Sequence, residues 1–293
     1  MLENILLLVP VLLQWLLFAI MLFMGMTLTI DDFKRVAVYP KAVGIGLMNQ
    51  IIFLPLIGLA IVNLIPLEAA FAVGIMVVSA SPGGAVSNLI SHLSKGDTAL
   101  SISLTAFSSV LTIFTIPFII NWSLAHLAGT DGVSIQLPLG KTIFNIFKLT
   151  VLPVIMGMAV NHFFPKFTAR IGSIIAWISG AIIIIALALI YVKLDEIGDV
   201  FEFVKACFLS VLILNIATLA IGYFSARWMG LNIKQSITTS IETGMQNNVL
   251  GMAIATSPSL LNNSLMAVPA GVYGLLMCTT ATFMIFYYRR LVK

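Results

Sequence analysis

Nine runs of apolar residues, each long enough to cross a lipid bilayer, occupy most of this 293-residue chain. A membrane-spanning helix needs roughly 20 mostly apolar residues, so the nine runs account for about 180 residues and leave short loops between them. Charged residues make up only 9% of the chain, whereas an ordinary soluble domain carries roughly 25%. The sequence therefore predicts an all-α polytopic membrane protein without room for a soluble enzymatic domain.

The limits of the spans follow from the turn and charge signals that separate the apolar runs. The first run contains no Lys or Arg and has no small-residue cleavage site, so we expect a span there and not a removable signal peptide. The predicted spans are residues 4–28, 42–65, 69–93, 98–125, 139–163, 171–193, 202–226, 235–256 and 265–288.

Basic residues concentrate on one side of the membrane in this arrangement. Eleven of the fifteen lie in the loops at 29–41, 94–97, 164–170 and 227–234 or in the C-terminal tail. Cytoplasmic loops carry an excess of Lys and Arg, so we expect an inner (plasma) membrane protein with its N-terminus outside and its C-terminus in the cytoplasm. The net charge of +4 forms no patch or stripe, which argues against a nucleic-acid partner, and no obligate protein partner is implied.

One acidic residue stands apart from the others, which lie in loops or near the ends of spans. Glu242 lies in the middle of the run QSITTSIETGMQNNVLGMAIA, residues 235–255. An ionisable group at membrane depth costs several kcal/mol unless a partner or a water-filled cavity compensates for it. A functional role is therefore favoured over a purely structural hydrogen bond.

Two of the predicted spans carry signals that interrupt a helix. The third contains the triplet Pro82-Gly83-Gly84, and the eighth contains polar residues and a glycine between Glu242 and Asn248. Proline and glycine interrupt regular helical hydrogen bonding. Non-helical backbone in a bilayer is tolerated only where protein or a water-filled cavity satisfies the freed groups. The two interruptions therefore predict one shared polar site.

The order of the spans suggests an internal repeat. Spans one to four match spans six to nine, with the interrupted helix third in each set, and the partners run in opposite directions because five spans separate them. Substrate and ion sites of inverted-repeat transporters form where discontinuous helices meet near the membrane midplane. The pattern therefore predicts an inverted-repeat transporter.

The polar residues at membrane depth are mostly oxygen ligands, which hard cations such as sodium prefer. No His or Cys joins them, so a transition-metal site is not expected. A proton carried by the lone carboxylate is the alternative, although a proton needs far fewer neutral oxygens. The candidate ligands are Gln50, Ser87, Asn88, Ser101, Thr105, Glu242 and Gln246.

Several motifs resemble those of a known family, and together they extend over nearly the whole chain. They are FMGMTLTIDDF (23–33), NQIIFLP (49–55), SPGGAVSNLISHLSKGDTALSISLT (81–105), SIETGMQNNVLGMAIA (240–255) and VPAGVYG (268–274). In these motifs the chain is similar to the bile acid:sodium symporter family. Some bacterial relatives have ten spans, and this chain is expected to lack the first of them.

The resemblance implies a division of the spans into a panel domain and a core domain. The panel would contain residues 4–28, 139–163 and 171–193. The core, in which the two interrupted helices cross, would contain residues 42–65, 69–93, 98–125, 202–226, 235–256 and 265–288.

The resemblance also implies two coupling sodium ions that share Glu242. Thr243 and Met245 would contribute backbone carbonyl oxygens to the second of the two sites. The first site would consist of Ser87, Asn88, Ser101, Thr105 and Glu242, and the second of Gln50, Glu242, Thr243, Met245 and Gln246.

Substrate-side residues are implied less directly. Asn247 matches a residue near the family's substrate cavity. Ala85 stands where a threonine is usual, and Met277 and Cys278 stand where a His-Asn pair is found. These departures make sodium coupling, rather than bile acid as the substrate, the property that carries over.

Three functions fit these expectations. The first is a sodium-coupled symporter that imports bile-acid-like or smaller organic anions from the bilayer's outer face by alternating access. The second is a proton-coupled permease on the same scaffold, and the third is a membrane receptor that binds the ligand without transporting it. An enzyme is not expected, because no nucleophile, base and orienting group converge.

Overall fold

The computed structural model describes residues 2–34, 38–127 and 137–292, without the side chains of residues 2–6, 85, 172, 173, 175 and 176. Residues 35–37 of the basic loop and the last residue of the tail fall outside that description. A π-helical segment, Asn49–Phe53, joins α3 to α4, and a 3₁₀ turn, Leu265–Ala267, precedes α14. The helices are α1 (Leu2–Met26), α2 (Ile30–Lys34), α3 (Pro40–Met48), α4 (Leu54–Leu64), α5 (Ala69–Ala80), α6 (Ala85–Leu93), α7 (Thr98–Leu127), α8 (Leu139–Leu149), α9 (Val151–Phe163), α10 (Pro165–Asp195), α11 (Val200–Trp228), α12 (Ile233–Gly244), α13 (Asn248–Thr256) and α14 (Val268–Leu291).

Seven continuous helical stretches within the described residues are long and apolar enough to cross a membrane. Large apolar side chains cover their outer faces, among them Leu64, Trp177 and Phe283, which are 81%, 83% and 70% exposed. Such a surface suits lipid, which is itself apolar. The prediction of an all-α polytopic membrane protein is confirmed, whereas the total of nine spans stays a prediction because it counts each interrupted helix as one span.

The two interrupted spans appear as predicted, and α5 and α13 lie in the interior of the molecule. The third predicted span consists of α5 and α6, and the eighth consists of α12 and α13. Nearly all residues of α5 and all residues of α13 are buried. Because these helices are apolar and buried on all sides, the breaks between them lie deep inside the protein.

The fifth predicted span differs from expectation, because it is bent at Thr150 between α8 and α9. Pro153 has no N–H group to donate to the carbonyl of Leu149, so the regular hydrogen-bond ladder cannot continue there. At the bend, the hydroxyl of Thr150 donates to the carbonyl of Ile146 at 2.8 Å. The proline thus converts one predicted helix into two shorter ones.

The predicted loop at 29–41 also contains a feature that the sequence did not suggest, the short helix α2. Asp32 in this helix is buried, and its carboxylate accepts hydrogen bonds from the backbone N–H and the hydroxyl of Thr29 at 2.8 and 2.7 Å. The hydroxyl of Ser103 donates to the carbonyl of Asp32 at 2.8 Å. The bond from Ser103 attaches α2 to α7.

Close packing of α1 against α9 depends on two glycines. A Cβ atom on Gly25 would lie 2.2 Å from the carbonyl oxygen of Val154, and one on Gly157 would lie 2.2 Å from that of Leu22. Small residues allow membrane helices to approach in this way. Helix α10 contacts both α1 and α9, so these three elements form one packed group.

Candidate functional site

The two helix breaks pair with each other across the centre of the protein. Residues 81–84 and 245–247 run antiparallel, with Gly83 opposite Gln246. The N–H of Gly84 donates to the carbonyl of Met245 at 3.0 Å, and the N–H of Asn247 donates to that of Pro82 at 2.9 Å. Each break thus satisfies backbone groups that the other has freed, as non-helical backbone at membrane depth requires.

The carboxylate of Glu242 lies beside this crossing, 4% exposed. Its Oε1 accepts hydrogen bonds from the hydroxyls of Ser87, at 2.6 Å, and Ser101. Its Oε2 accepts one from the hydroxyl of Thr105 at 2.8 Å. The amide oxygen of Asn88 lies 2.9 Å from the hydroxyl of Ser101. The structure therefore brings together all five residues predicted for the first sodium site, which we call the carboxylate cluster.

Three helices contribute to the carboxylate cluster, and a glycine allows the carboxylate to enter. Glu242 lies in the last turn of α12, while Ser101 and Thr105 lie one turn apart on α7, so both hydroxyls are on one helical face. A Cβ atom on Gly83 would lie 2.7 Å from Oε2 of Glu242. The glycine therefore leaves the space that the carboxylate occupies.

A second group of polar atoms, which we call the amide cluster, lies on the other side of the crossing. The amide nitrogen of Gln50 donates to the carbonyl of Ser81 and to the side-chain oxygen of Gln246, both at 2.7 Å. The amide nitrogen of Gln246 donates to the carbonyl of Thr243 at 2.8 Å. Gln50 belongs to the π-helical segment, a type of helix distortion that occurs frequently at functional sites.

The amide cluster contains most of the predicted second sodium site. The hydroxyl of Thr243 donates to Thr239 within its own helix, so its carbonyl is the group that meets the amides. The carbonyl of Met245 accepts from Gly84 in the crossing. Both carboxylate oxygens of Glu242 bond within the carboxylate cluster, so no hydrogen bond among the described residues ties the carboxylate to the amide cluster.

The C-terminal end of α12 is capped by two residues that were not predicted from the sequence. The carbonyl of Gly244, the last residue of α12, accepts hydrogen bonds from the amide of Asn215 at 3.0 Å and from the hydroxyl of Tyr273 at 2.9 Å. Asn215 is a polar residue in the middle of an apolar span, the same signal that identified Glu242. The two donors satisfy a carbonyl that the end of the helix leaves without a helical partner.

The predicted substrate-side residues are only partly brought together. A narrow cavity of about 20 Å³ lies where α6 and α13 begin, with room for about one water molecule. Cys278 is exposed and is not among its lining residues, and the side chain of Ala85 lies outside the described part of the structure. Sequence analysis missed Ser179 and Asn248. The walls include Gly84, Val86, Ser179, Ile183, Asn247, Asn248 and Met277.

The sequence matches a family of membrane transporters. The sequence profile of the sodium bile acid symporter family matches residues 14–198, more than half of the chain. The chain belongs to the sodium bile acid symporter family. The resemblance drawn from the motifs is thus confirmed, and the interrupted helices, the carboxylate cluster and the amide cluster are features of a symporter-family chain.

Relatives within the sodium bile acid symporter family come from plants, bacteria and animals. A probable sodium/metabolite cotransporter of rice, BASS2, chloroplastic, is 34% identical over 86% of this chain and 58% of its own length. The uncharacterized sodium-dependent transporter YocS of Bacillus subtilis is 29% identical over 94% of this chain and 82% of its own. The human ileal sodium/bile acid cotransporter is 29% identical over 79% and 65%. The chain spans 58–60% of the length of the chloroplastic BASS1 and BASS2 relatives.

Proposed function

We propose that this chain is a sodium-coupled symporter that imports organic anions by alternating access. The observation that carries the proposal is the buried carboxylate of Glu242, whose hydrogen-bond partners are all neutral hydroxyls. A buried charge needs a compensating charge or strong solvation. A sodium ion surrounded by these oxygens would supply it, because hard cations prefer carboxylate, hydroxyl and amide oxygens.

The first coupling ion would bind in the carboxylate cluster. Ser87, Ser101 and Thr105 now donate to the carboxylate, and a hydroxyl has lone pairs that can turn toward a cation. The amide oxygen of Asn88 already lies beside the hydroxyl of Ser101. The ion would therefore replace donated hydrogen bonds by direct contacts with the same oxygens.

The second coupling ion would bind in the amide cluster and share the negative charge of Glu242. Its ligands would be the side-chain oxygens of Gln50 and Gln246 and the carbonyl oxygens of Thr243 and Met245. The present hydrogen bonds between the two glutamines would open to admit it. Binding would thus change the geometry of the crossing itself, which links the ions to the conformational cycle.

Charge explains why the transported substrate would be an anion. Two sodium ions beside one carboxylate leave a net charge of about +1, and a monoanion would neutralise it. Helices α6 and α13 begin at the cavity that Asn247 and Met277 line, and helix N-termini favour negative charge. The rice and human relatives are described as sodium/metabolite and sodium/bile acid cotransporters, in keeping with an organic anion.

Alternating access would proceed between a panel of α1 and α8–α10 and a core that contains the crossing. Helices α1, α9 and α10 pack as one group, which supports this division. We propose further that the protein lies in the inner (plasma) membrane with the N-terminus outside and the C-terminus in the cytoplasm, because the basic loops then face the cytoplasm. We call the end where α1 begins the outer end.

Thermal unfolding of the detergent-purified protein tests this function. A ligand that binds only the folded state stabilises it by mass action, so sodium chloride should raise the unfolding temperature above that in potassium chloride. A set of organic anions, from short carboxylates to taurocholate, should be tested in turn. Those that bind should add stabilisation only when sodium is present. Equal effects of sodium and potassium, or anion binding that ignores sodium, would refute sodium coupling.

A further inference from the structure

A chain of side-chain hydrogen bonds joins the panel helices to the core at the outer end. The amide of Gln14 in α1 donates to the hydroxyl of Ser257, at the end of α13, at 2.8 Å. The hydroxyls of Ser257 and Ser259 lie 3.0 Å apart, and the amide of Asn145 in α8 donates to Ser259 at 3.4 Å. We call these four residues the outer latch.

The core side of the outer latch is held firmly in place. Ser257 is fully buried, and its carbonyl accepts hydrogen bonds from the N–H groups of Leu260 and Asn262. The N–H groups of Leu261 and Asn263 bond back to carbonyls in the last turns of α13. The hydroxyl of Ser257 is therefore part of a folded cap, and Gln14 must move if this contact is to open.

Apolar packing below the latch closes the same end. Leu13 and Leu17 on α1 are fully buried, and α1 packs along α13. Leu17 lies along α1 between Gln14 and Ile20, which lines the central cavity. The latch thus lies over an apolar seal between the outer end and the central cavity.

The inner end is arranged differently. A cavity of about 730 Å³ lies between α2 and the inner end of α9, with Leu28, Lys34, Met158 and His162 in its walls. Helix α2 is tied to α7 through Ser103. The panel and the core are therefore joined by hydrogen bonds at the outer end and separated by open space at this part of the inner end.

We infer that the outer latch is the gate contact that holds the carrier closed to the outside, and that Gln14 is its panel-side positioning residue. This inference rests on the proposed alternating access between panel and core. When Gln14 releases Ser257, α1 can leave α13 and the central cavity opens outward. Loss of the latch should therefore shift the population toward the outward-open state, since each state is favoured by contacts that only it makes.

Cross-linking tests whether the latch must open during transport. In a variant with Cys207→Ala and Cys278→Ser, the pair Gln14→Cys and Ser257→Cys should be joined by the short reagent ethanediyl bismethanethiosulfonate. Sodium-driven uptake by the cross-linked carrier in proteoliposomes should be lost and should return after reduction. The single variants treated in the same way are the controls, and reversal by reductant excludes unfolding as the cause.

Labelling tests the population shift without relying on transport. Ser179→Cys, in the cysteine-free background, reports the central cavity to a membrane-impermeant maleimide added outside. Gln14→Leu keeps a side chain of similar size but removes the hydrogen bond to Ser257. The rate at which Ser179→Cys is labelled should then rise about threefold to tenfold. Asn63→Leu is the matched control, because among the described residues the side chain of Asn63 bonds only to Leu59 in its own helix, and the change should leave labelling unchanged.

The two readouts separate the latch from the function on which it rests. Faster outside labelling in Gln14→Leu, with reversible loss of uptake on cross-linking, supports the latch. Unchanged labelling, or full uptake by the cross-linked carrier, overturns it even if the parent protein transports with sodium. Absence of sodium-dependent uptake in the parent refutes the proposed function, while the labelling rate still decides whether Gln14 holds the outer end closed.

Discussion

Glu242 combines three properties in one residue: burial, charge and neutral partners. Its position could be predicted from sequence because an acid in the middle of an apolar run is costly, and Ser101 and Thr105 because their spacing gives one helical face. The carbonyl of Ser81, which accepts from Gln50, could not be predicted in this way. Every residue has a carbonyl, so only the three-dimensional path of the backbone shows which one faces the site.

Removing the charge of Glu242 should remove sodium binding. Glu242→Gln retains the shape of the side chain, but the bound cations would then have no compensating anion in a region of low dielectric. Stabilisation of the protein by sodium should disappear. The matched control is Glu202→Gln, which changes an exposed acid that pairs with Lys205 and should keep the sodium response. A normal sodium titration in Glu242→Gln would contradict the role of the carboxylate.

The space beside Gly83 should matter for sodium affinity as much as the side chains that bind the ion. In Gly83→Ala the new methyl group would lie 2.7 Å from Oε2 of Glu242, so the carboxylate would have to move from its three hydroxyl partners. We expect sodium affinity to fall by about tenfold or more, since 1.4 kcal/mol is a factor of ten. Gly44→Ala, where a Cβ atom meets nothing within 4 Å, is the control. Equal sodium affinities of the two variants would argue against this reading.

At the scale of elements, the breaks in the two core helices could be read from the sequence, and the details around them could not. Pro82-Gly83-Gly84 predicts an opening because it removes helical hydrogen bonds. The π-helical segment at Gln50 is followed by Pro55, but a proline does not by itself specify a π-helix rather than a kink. The bend at Thr150 had a signal in Pro153, but proline in a membrane helix often leaves the helix continuous.

The cap on the free end of α12 should contribute measurably to stability. Asn215→Leu removes one of the two donors to the carbonyl of Gly244, and weakening a buried hydrogen-bond pair costs about 1–3 kcal/mol. The unfolding temperature in detergent should fall. Ser210→Ala in the same helix should be nearly neutral, because that buried hydroxyl makes no hydrogen bond with the described residues. An unchanged unfolding temperature in Asn215→Leu would contradict the importance of the cap.

At the scale of the whole molecule, the sequence predicted the membrane class and the family, because apolar length and specific motifs determine them. The packing of α1 against α9 through Gly25 and Gly157, and the outer latch, lie beyond such prediction, since they join residues that are far apart in the chain. Side-chain pairs of this kind are specified only by the folded arrangement.

Orientation in the membrane is a property of the whole chain and can be checked independently of transport. A reporter active only in the cytoplasm, fused after the last residue, should be active, and one active only outside should be silent. The reason is the concentration of Lys and Arg in the loops on the side of the C-terminus. The opposite pattern in a fusion that still responds to sodium would reverse the outer and inner ends.

The energetics of the cycle follow from the charge of the loaded carrier. In the proposed cycle, two sodium ions and one monoanion would move one net positive charge inward, which is worth about 2.3 kcal/mol per 100 mV. A tenfold sodium gradient adds about 1.4 kcal/mol for each ion. Together they supply about 5 kcal/mol, enough for roughly thousandfold accumulation of the anion.

The most direct test is uptake of a radiolabelled monoanion, chosen by the thermal screen, into proteoliposomes under a sodium gradient and a potassium–valinomycin potential. We expect uptake to require sodium and to increase when the interior is made negative. Uptake that proceeds equally with choline, or that needs a pH gradient instead, would contradict sodium symport through Glu242. Sodium-dependent uptake that does not respond to the potential would contradict the proposal that a second sodium ion binds at Gln50 and Gln246.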